Sequence, residues 1–163
     1  MKKTLRFLPW LAVLLWMALI FFFSTENAAE SSDTSGCFIR FLLSALKPGF
    51  SEFAAEEQTV LIESFSHPVR KAAHFTLYTV LGFLLCGSMR ISFPSMDGRK
   101  RFLSALAVGA LYAVSDEIHQ YFVPGRACMI RDMLLDSAGV LTGCLICMAP
   151  VILRRKRGNR NTL

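Results

Sequence analysis

Four apolar runs, each close to the ~20 residues needed to cross a bilayer, constrain this chain to a bundle of membrane helices. They cover residues 7–23, 72–89, 102–121 and 133–153. The first is uncharged and holds Trp10 and Trp16. The second has His74 as its one possible charge. The third is uncharged as far as Asp116, and Asp136 is the only charge in the fourth. With 163 residues, 53% of them apolar, there is room for one small all-α, polytopic domain. An ordinary soluble domain is nearer ~45–50% apolar.

The formal net charge is +6, but its placement says more. Lys2, Lys3 and Arg6 precede the first run. Arg90, Arg99, Lys100 and Arg101 flank the link between the second and third. Arg154, Arg155, Lys156, Arg157 and Arg160 follow the fourth, in a basic tail at 154–163. Basic residues in short loops stay in the cytoplasm. The expectation is a multi-pass plasma-membrane protein with both termini cytoplasmic, four crossings and an external loop at 24–71. The basic tail is more simply a cytoplasmic stop and lipid anchor than a nucleic-acid patch. The N-terminus resembles a secretory signal, but its 17 apolar residues (7–23) exceed the usual ~7–15, so an uncleaved signal anchor is expected.

Within the external loop, Phe38, Phe41, Leu42 and Ala45 fall at i, i+3, i+4, i+7 and predict an amphipathic helix. Lys47-Pro48-Gly49 ends it. Phe53, Val60, Leu61 and Phe65 predict a second, led by Glu52, Glu56 and Glu57 as the helix dipole prefers. Both are expected to lie on the outer surface of the bundle. His67-Pro68 is expected to break the chain before the second crossing, and Pro124-Gly125 to make a tight turn before the fourth. Of five cysteines, Cys86, Cys144 and Cys147 lie in apolar runs and behave as small hydrophobes. Cys37 and Cys128 are both expected outside, which leaves a disulfide between them open.

Charge also stands where a membrane tolerates it poorly. An ionisable residue at mid-bilayer costs roughly 2.5–3.5 kcal/mol on insertion scales. Residues three or four apart share a helix face. Lys71, His74 and Tyr78 form such a stripe on the second run. Tyr112, Asp116, His119 and Gln120 do so on the third, with Glu117 about 100° away. Asp132, Asp136, Gly139 and Gly143 do so on the fourth. The two glycines permit close helix approach, as in small-x-x-x-small packing. The expected topology brings Lys71, His74, Tyr78, Asp116, Glu117, His119, Gln120, Arg126, Asp132 and Asp136 toward the external end. This is the candidate ligand-binding set. Each member also has a plainer explanation: His74 as a neutral core histidine, Asp116 in a structural ion pair with Lys71 or Arg126, Asp132 as a helix N-cap.

The chemistry of the set is mixed. His119 beside Asp116 and Glu117 is an acid–base group suited to proton transfer near neutral pH, and these three are the catalytic candidates. Lys71 and Arg126 suit a phosphate. Asp116, His119, Asp132 and Asp136 are metal ligands by type, but no spacing equals HExxH. No metal and no cofactor is therefore expected, and no phosphate-cradling glycine loop or serine elbow is present.

The chain resembles the VanZ-like family, the teicoplanin-resistance-like membrane proteins. The resemblance rests on Phe23-Ser24, Lys71-x-x-His74-Phe75-x-x-Tyr78 and Ser115-Asp116-Glu117-Ile118-His119-Gln120. It continues through Val123-Pro124-Gly125-Arg126, Asp132-x-x-x-Asp136 and Gly139-x-x-x-Gly143. It implies a small multi-helix bacterial membrane domain with an envelope role, and a tie to lower teicoplanin susceptibility. Three functions stay open. The first is a non-enzymatic protein binding a membrane lipid or lipid-linked cell-wall precursor through its anionic group at the outer leaflet. The second is a hydrolase or transferase on an envelope lipid, with His119 as base, Asp116 orienting it and Asp132 or Asp136 holding a metal. The third is a structural membrane partner whose polar residues only fix helix packing. A transporter is disfavoured, since the cytoplasmic half lacks a polar path unless the protein dimerises.

Overall fold

The computed structural model describes the backbone of residues 3–160 and the side chains of 5–27 and 29–150. The basic clusters at 2–3 and 154–160 fall outside the described side chains. Among the described residues the regular structure is all helical. Five α-helices run in the order α1 (Pro9–Ser24), α2 (Ala28–Leu46), α3 (Ala55–Ser92), α4 (Gly98–Gln120) and α5 (Ile130–Arg160), with 3-10 turns at Lys3–Arg6 and Phe50–Glu52.

Helix α1 begins with Pro9 in its first turn, where the missing N–H costs nothing. It is apolar all round, and three polar tips tie it down. The Trp10 indole donates to Ser92 Oγ at 2.8 Å, the Trp16 indole to the Leu77 carbonyl at 2.9 Å, and the Tyr112 hydroxyl to the Met17 carbonyl at 2.7 Å. The start of α1 therefore meets the end of α3, and the two run antiparallel. Asp97 caps α4, accepting from the Arg99 and Lys100 N–H groups. Helices α3 and α5 run parallel, because Lys71 meets Asp132 near one end and Arg90 donates to the Cys147 carbonyl at the other.

Their approach is backbone to backbone. A Cβ on Gly143 would lie 1.9 Å from the Thr79 carbonyl oxygen, one on Gly82 2.1 Å from that of Val140, and one on Gly139 2.6 Å from that of Phe75. The Gly139/Gly143 stripe thus acts as the spacing suggests. Around this seam Val13, Ile20, Tyr78, Leu81, Leu85, Val140 and Cys144 form the core. Outward stand Leu11, Leu14, Leu15, Phe22, Phe83, Leu111, Leu134 and Leu145, while Ser88, Asp116, Glu117 and Asp136 are inside. Polar inside and apolar outside is the arrangement a hydrocarbon solvent selects.

Among the described residues, two helices are long and apolar enough to cross a membrane, α3 and residues Ile130–Pro150 of α5; α1 joined to α2 across a 106° bend would make a third. The four-crossing pattern of the sequence is thus met only in part. Helix α1 has 16 residues, about 24 Å at 1.5 Å each, against a hydrocarbon core of about 30 Å. In α4 the uncharged run between Arg101 and Asp116 is 14 residues, about 21 Å.

The segment at 24–71 departs from expectation. His67-Pro68 does not break the chain: α3 continues through Pro68 for 38 residues, about 57 Å. A proline inside a helix costs roughly 3 kcal/mol. Here the helix is held on both sides of it, by Ile62 packing on the α2 contact before it and by Lys71 pairing with Asp132 after it. The predicted stripe is consequently, from Val60 to Phe65, the first part of α3 rather than a separate helix, and Phe53 lies just before it, at the end of the 3-10 turn. Helix α2 starts ten residues before the predicted stripe at Phe38, at a reciprocal cap in which Asn27 Oδ1 accepts from Glu30 N–H and Glu30 Oε2 from Asn27 N–H. It packs on the protruding part of α3 through Ile39, Phe50 and Ile62. Lys47 does end α2, and Gly49 follows with φ 79°. All five cysteines are free thiols, Cys37 and Cys128 among them.

Candidate functional site

Where α3 enters the bundle it carries His67, Arg70, Lys71, His74 and Tyr78 along one stripe. Helix α4 brings Asp116, Glu117 and Gln120 to the same depth, and α5 brings Asp132 and Asp136. The connection between them turns at Pro124-Gly125, with Gly125 at φ 76° and the Arg126 N–H donating to the Val123 carbonyl at 3.1 Å. Glycine at that left-handed position lets the turn close tightly. The turn delivers Arg126 over the gap. The result is a cleft of about 230 Å³, lined by residues of α3, α4, α5 and this connection.

Three layers can be distinguished. At the rim are His67, Arg70 and Arg126. Arg126 Nε donates to the Glu26 carbonyl at 3.2 Å, and a terminal nitrogen reaches Gln120 Oε1 at 3.5 Å. Burial lowers the pKa of its guanidinium, and the neighbouring Arg70 lowers it further, while Glu26, Asp116 and Glu117 act the other way. Among the described residues, neither Arg70 nor Arg126 has a carboxylate within ion-pair distance. The middle layer is the Lys71–Asp132 ion pair. Glu117 lies near it, 2% exposed, and its Oε2 accepts the Met129 N–H at 3.0 Å. The Met129 carbonyl in turn accepts from Asp132 and Met133, so Glu117 anchors the start of α5 to α4.

The floor is the most buried layer. Asp136 is 1% exposed and Asp116 3%. His74 Nδ1 lies 3.8 Å from Asp136 Oδ2, too far for a hydrogen bond. One ligand atom from each of His74, Asp116 and Asp136 falls within 4.8 Å of the others. Gln120 Nε2 donates to Asp116 Oδ2 at 3.4 Å. Among the described residues, Asp116 Oδ1 and both Asp136 oxygens have no hydrogen-bond partner. Tyr78, fully buried, places its hydroxyl beside Asp116 without a hydrogen bond of ordinary geometry.

Of the ten residues singled out by sequence, Lys71, His74, Glu117, Gln120, Arg126, Asp132 and Asp136 line the cleft; Asp116 and Tyr78 lie behind its floor. His119 does not join them. Its ring packs 4.7 Å from Phe21 of α1, and its Nε2 is buried without a partner. The suggested metal ligands also part company: Asp116 and Asp136 meet, with His74 as the imidazole, while Asp132 pairs with Lys71. His67 and Arg70 were not selected by sequence. Both share the α3 stripe; an expected break at Pro68 concealed His67, whereas Arg70 lies beyond it, four residues before His74, and was legible from that spacing.

No curated protein and no solved structure matches the chain. A family model described as VanZ/LLP1 matches residues 8–154, a span that takes in α1 to α4, the cleft and most of α5. The chain belongs to the VanZ/LLP1 family.

Proposed function

We propose that this protein is an envelope membrane protein that binds the phosphate of a lipid-linked cell-wall component in the cleft, at the outer leaflet. On this proposal all four apolar runs cross the bilayer, with α1 and α4 antiparallel to α3 and both termini cytoplasmic. The observation that carries it is the pair Arg70 and Arg126, two cations side by side at a half-buried rim with no carboxylate partner. Like charges brought together need an anion, and a guanidinium fork matches phosphate oxygens. Occupying lipid-linked precursor there would lower susceptibility to teicoplanin by limiting access to it.

The test is binding of the purified full chain to phosphatidylcholine nanodiscs doped with undecaprenyl phosphate, against discs doped with the phosphate-free alcohol. Binding should require the phosphate and weaken at least about tenfold in both Arg70→Ala and Arg126→Ala, roughly the loss of one charge-assisted hydrogen bond. Equal binding to the alcohol, or unaltered binding in both variants, refutes the proposal. Expression of wild type and Arg126→Ala in a teicoplanin-sensitive bacterium tests the cellular effect separately.

A further inference from the structure

We propose that His74, Asp116 and Asp136 hold a divalent transition-metal cation at the floor of the cleft, with the Tyr78 hydroxyl beside it. Two carboxylates buried to this degree, and this near each other, are costly to ionise unless something compensates them. Among the described residues no lysine or arginine reaches them: Lys71 pairs with Asp132, and Arg126 stands at the rim, bonded to the main-chain carbonyl of Glu26 and to Gln120. Among the described residues, three carboxylate oxygens of the pair have no hydrogen-bond partner of ordinary geometry, and neither has the Tyr78 hydroxyl beside Asp116. Buried polar atoms in folded proteins are almost always satisfied, so four together mark a place for a ligand. Tyr78 is an independent indication, because it belongs to no acidic cluster.

The geometry suits one ion. Ligands about 2.0–2.2 Å from a common cation lie roughly 3–4 Å from one another. The three donor atoms, within 4.8 Å, would need to draw together by at most about 1–2 Å, within reach of side-chain rotations. One imidazole with two carboxylates suits Zn²⁺ or Mn²⁺ better than Mg²⁺ or Ca²⁺, which prefer oxygen alone. His74 and Asp136 also line the cleft, which leaves the ion an entry path and an open coordination position. The three protein ligands come from α3, α4 and α5, so the ion would join three helices. This inference is separable from phosphate binding, which rests on Arg70 and Arg126.

The experiment uses the full chain in detergent, stripped with chelator and titrated with ZnCl₂ by calorimetry and with MnCl₂ by electron paramagnetic resonance. One saturable site per chain is expected. Asp116→Asn and Asp136→Asn should each weaken it at least about tenfold, while Glu63→Gln, an exposed acid of α3, should not. Circular dichroism and thermal melts report whether the asparagine variants remain folded. A measurement on the wild type stands apart from any folding defect: bound Zn²⁺ should shield His74, but not His67, from diethyl pyrocarbonate. Absence of saturable binding overturns the proposal. So does affinity unaltered in both asparagine variants, or His74 modified equally with and without Zn²⁺.

Discussion

Gly143→Ala tests the α3–α5 seam on which the cleft geometry depends. The new methyl carbon would stand 1.9 Å from the Thr79 carbonyl oxygen and 2.6 Å from the Phe83 nitrogen, where real contacts essentially never fall below 3.0 Å. The helices must therefore part locally by at least about 1.1 Å (3.0 − 1.9). The obstacle is backbone, so no rotamer change relieves it. Overpacking costs typically 1–3 kcal/mol, and a backbone clash of this depth belongs at the upper end, about 3 kcal/mol, or roughly a hundredfold in the folding equilibrium. The same arithmetic gives about 0.9 Å for Gly82→Ala (3.0 − 2.1) and about 0.4 Å for Gly139→Ala (3.0 − 2.6). Gly87 has nothing within 4 Å, and alanine there should be neutral or stabilising by up to about 1 kcal/mol through helix propensity. Titration of detergent-solubilised protein with dodecyl sulfate, followed by circular dichroism, should rank the losses as Gly143 > Gly82 > Gly139, with Gly87→Ala at or above wild type. A Gly143→Ala protein as stable as wild type, or Gly87→Ala as the most damaging, would refute the seam.

Glu117→Ala should leave the Met129 N–H without its acceptor and cost about 1–3 kcal/mol; hydrogen exchange at Met129 should quicken, and Glu117→Gln, which keeps an acceptor, should be milder. Tyr112→Phe removes only the 2.7 Å bond to Met17 and should cost about 0.5–1.5 kcal/mol in the same unfolding assay. The Lys71–Asp132 pair is 30% and 27% exposed, so screening should hold its coupling in a double-mutant cycle to about 1 kcal/mol or less, weakening as salt rises. Ile39→Ala should cost about 2–5 kcal/mol and raise exchange in α2 and the first turns of α3, while α5 stays protected.

Much of the site was legible because helical spacing is rigid. Lys71, His74 and Tyr78 share a face by arithmetic, as do Asp132, Asp136, Gly139 and Gly143, and the glycines face α3 as small residues on a seam must. Spacing does not say which neighbour stands on which flank. Around α4, at about 100° per residue, Gln120 lies some 40° to one side of Asp116 with Glu117 beyond it, and His119 some 60° to the other. The cleft is on the Glu117 side and α1 on the His119 side, so one stripe is divided between two neighbours. Pro68 misled for a different reason: its local penalty is real, but tertiary contacts through Ile62 and Lys71 override it. With the helix extended through that point, His67 joins the stripe; Arg70, already beyond Pro68 and four residues before His74, was on it by spacing alone. The cap at Asn27 and Glu30 was legible in principle as Asn-x-x-Glu, but the following Ser31-Ser32-Asp33-Thr34-Ser35-Gly36 is poor in helix formers. Packing through Ile39 against α3, rather than propensity, accounts for α2.

Charge in the cleft alternates with depth, and that order limits what can bind where. Arg70 and Arg126 stand at the rim, the neutralised Lys71–Asp132 pair below, and Asp116 and Asp136 at the floor with His74. An anion is favoured only at the rim, because any deeper it meets carboxylates in a medium that screens poorly. A cation is favoured only at the floor, since at the rim it meets two guanidiniums. The Lys71–Asp132 pair separates the two and keeps the rim cations from collapsing onto the floor acids, which would satisfy both and leave neither ligand a place. Lys71 is held at that level by the α3 stripe and Asp132 by the glycine seam about two and three turns further along α5. Separation of the rim cations from the floor acids therefore depends on helix spacing. For that reason a methyl group added at Gly143, about 10 Å from Asp136 along the helix axis, belongs to the same physical problem as a charge removed from the cleft itself.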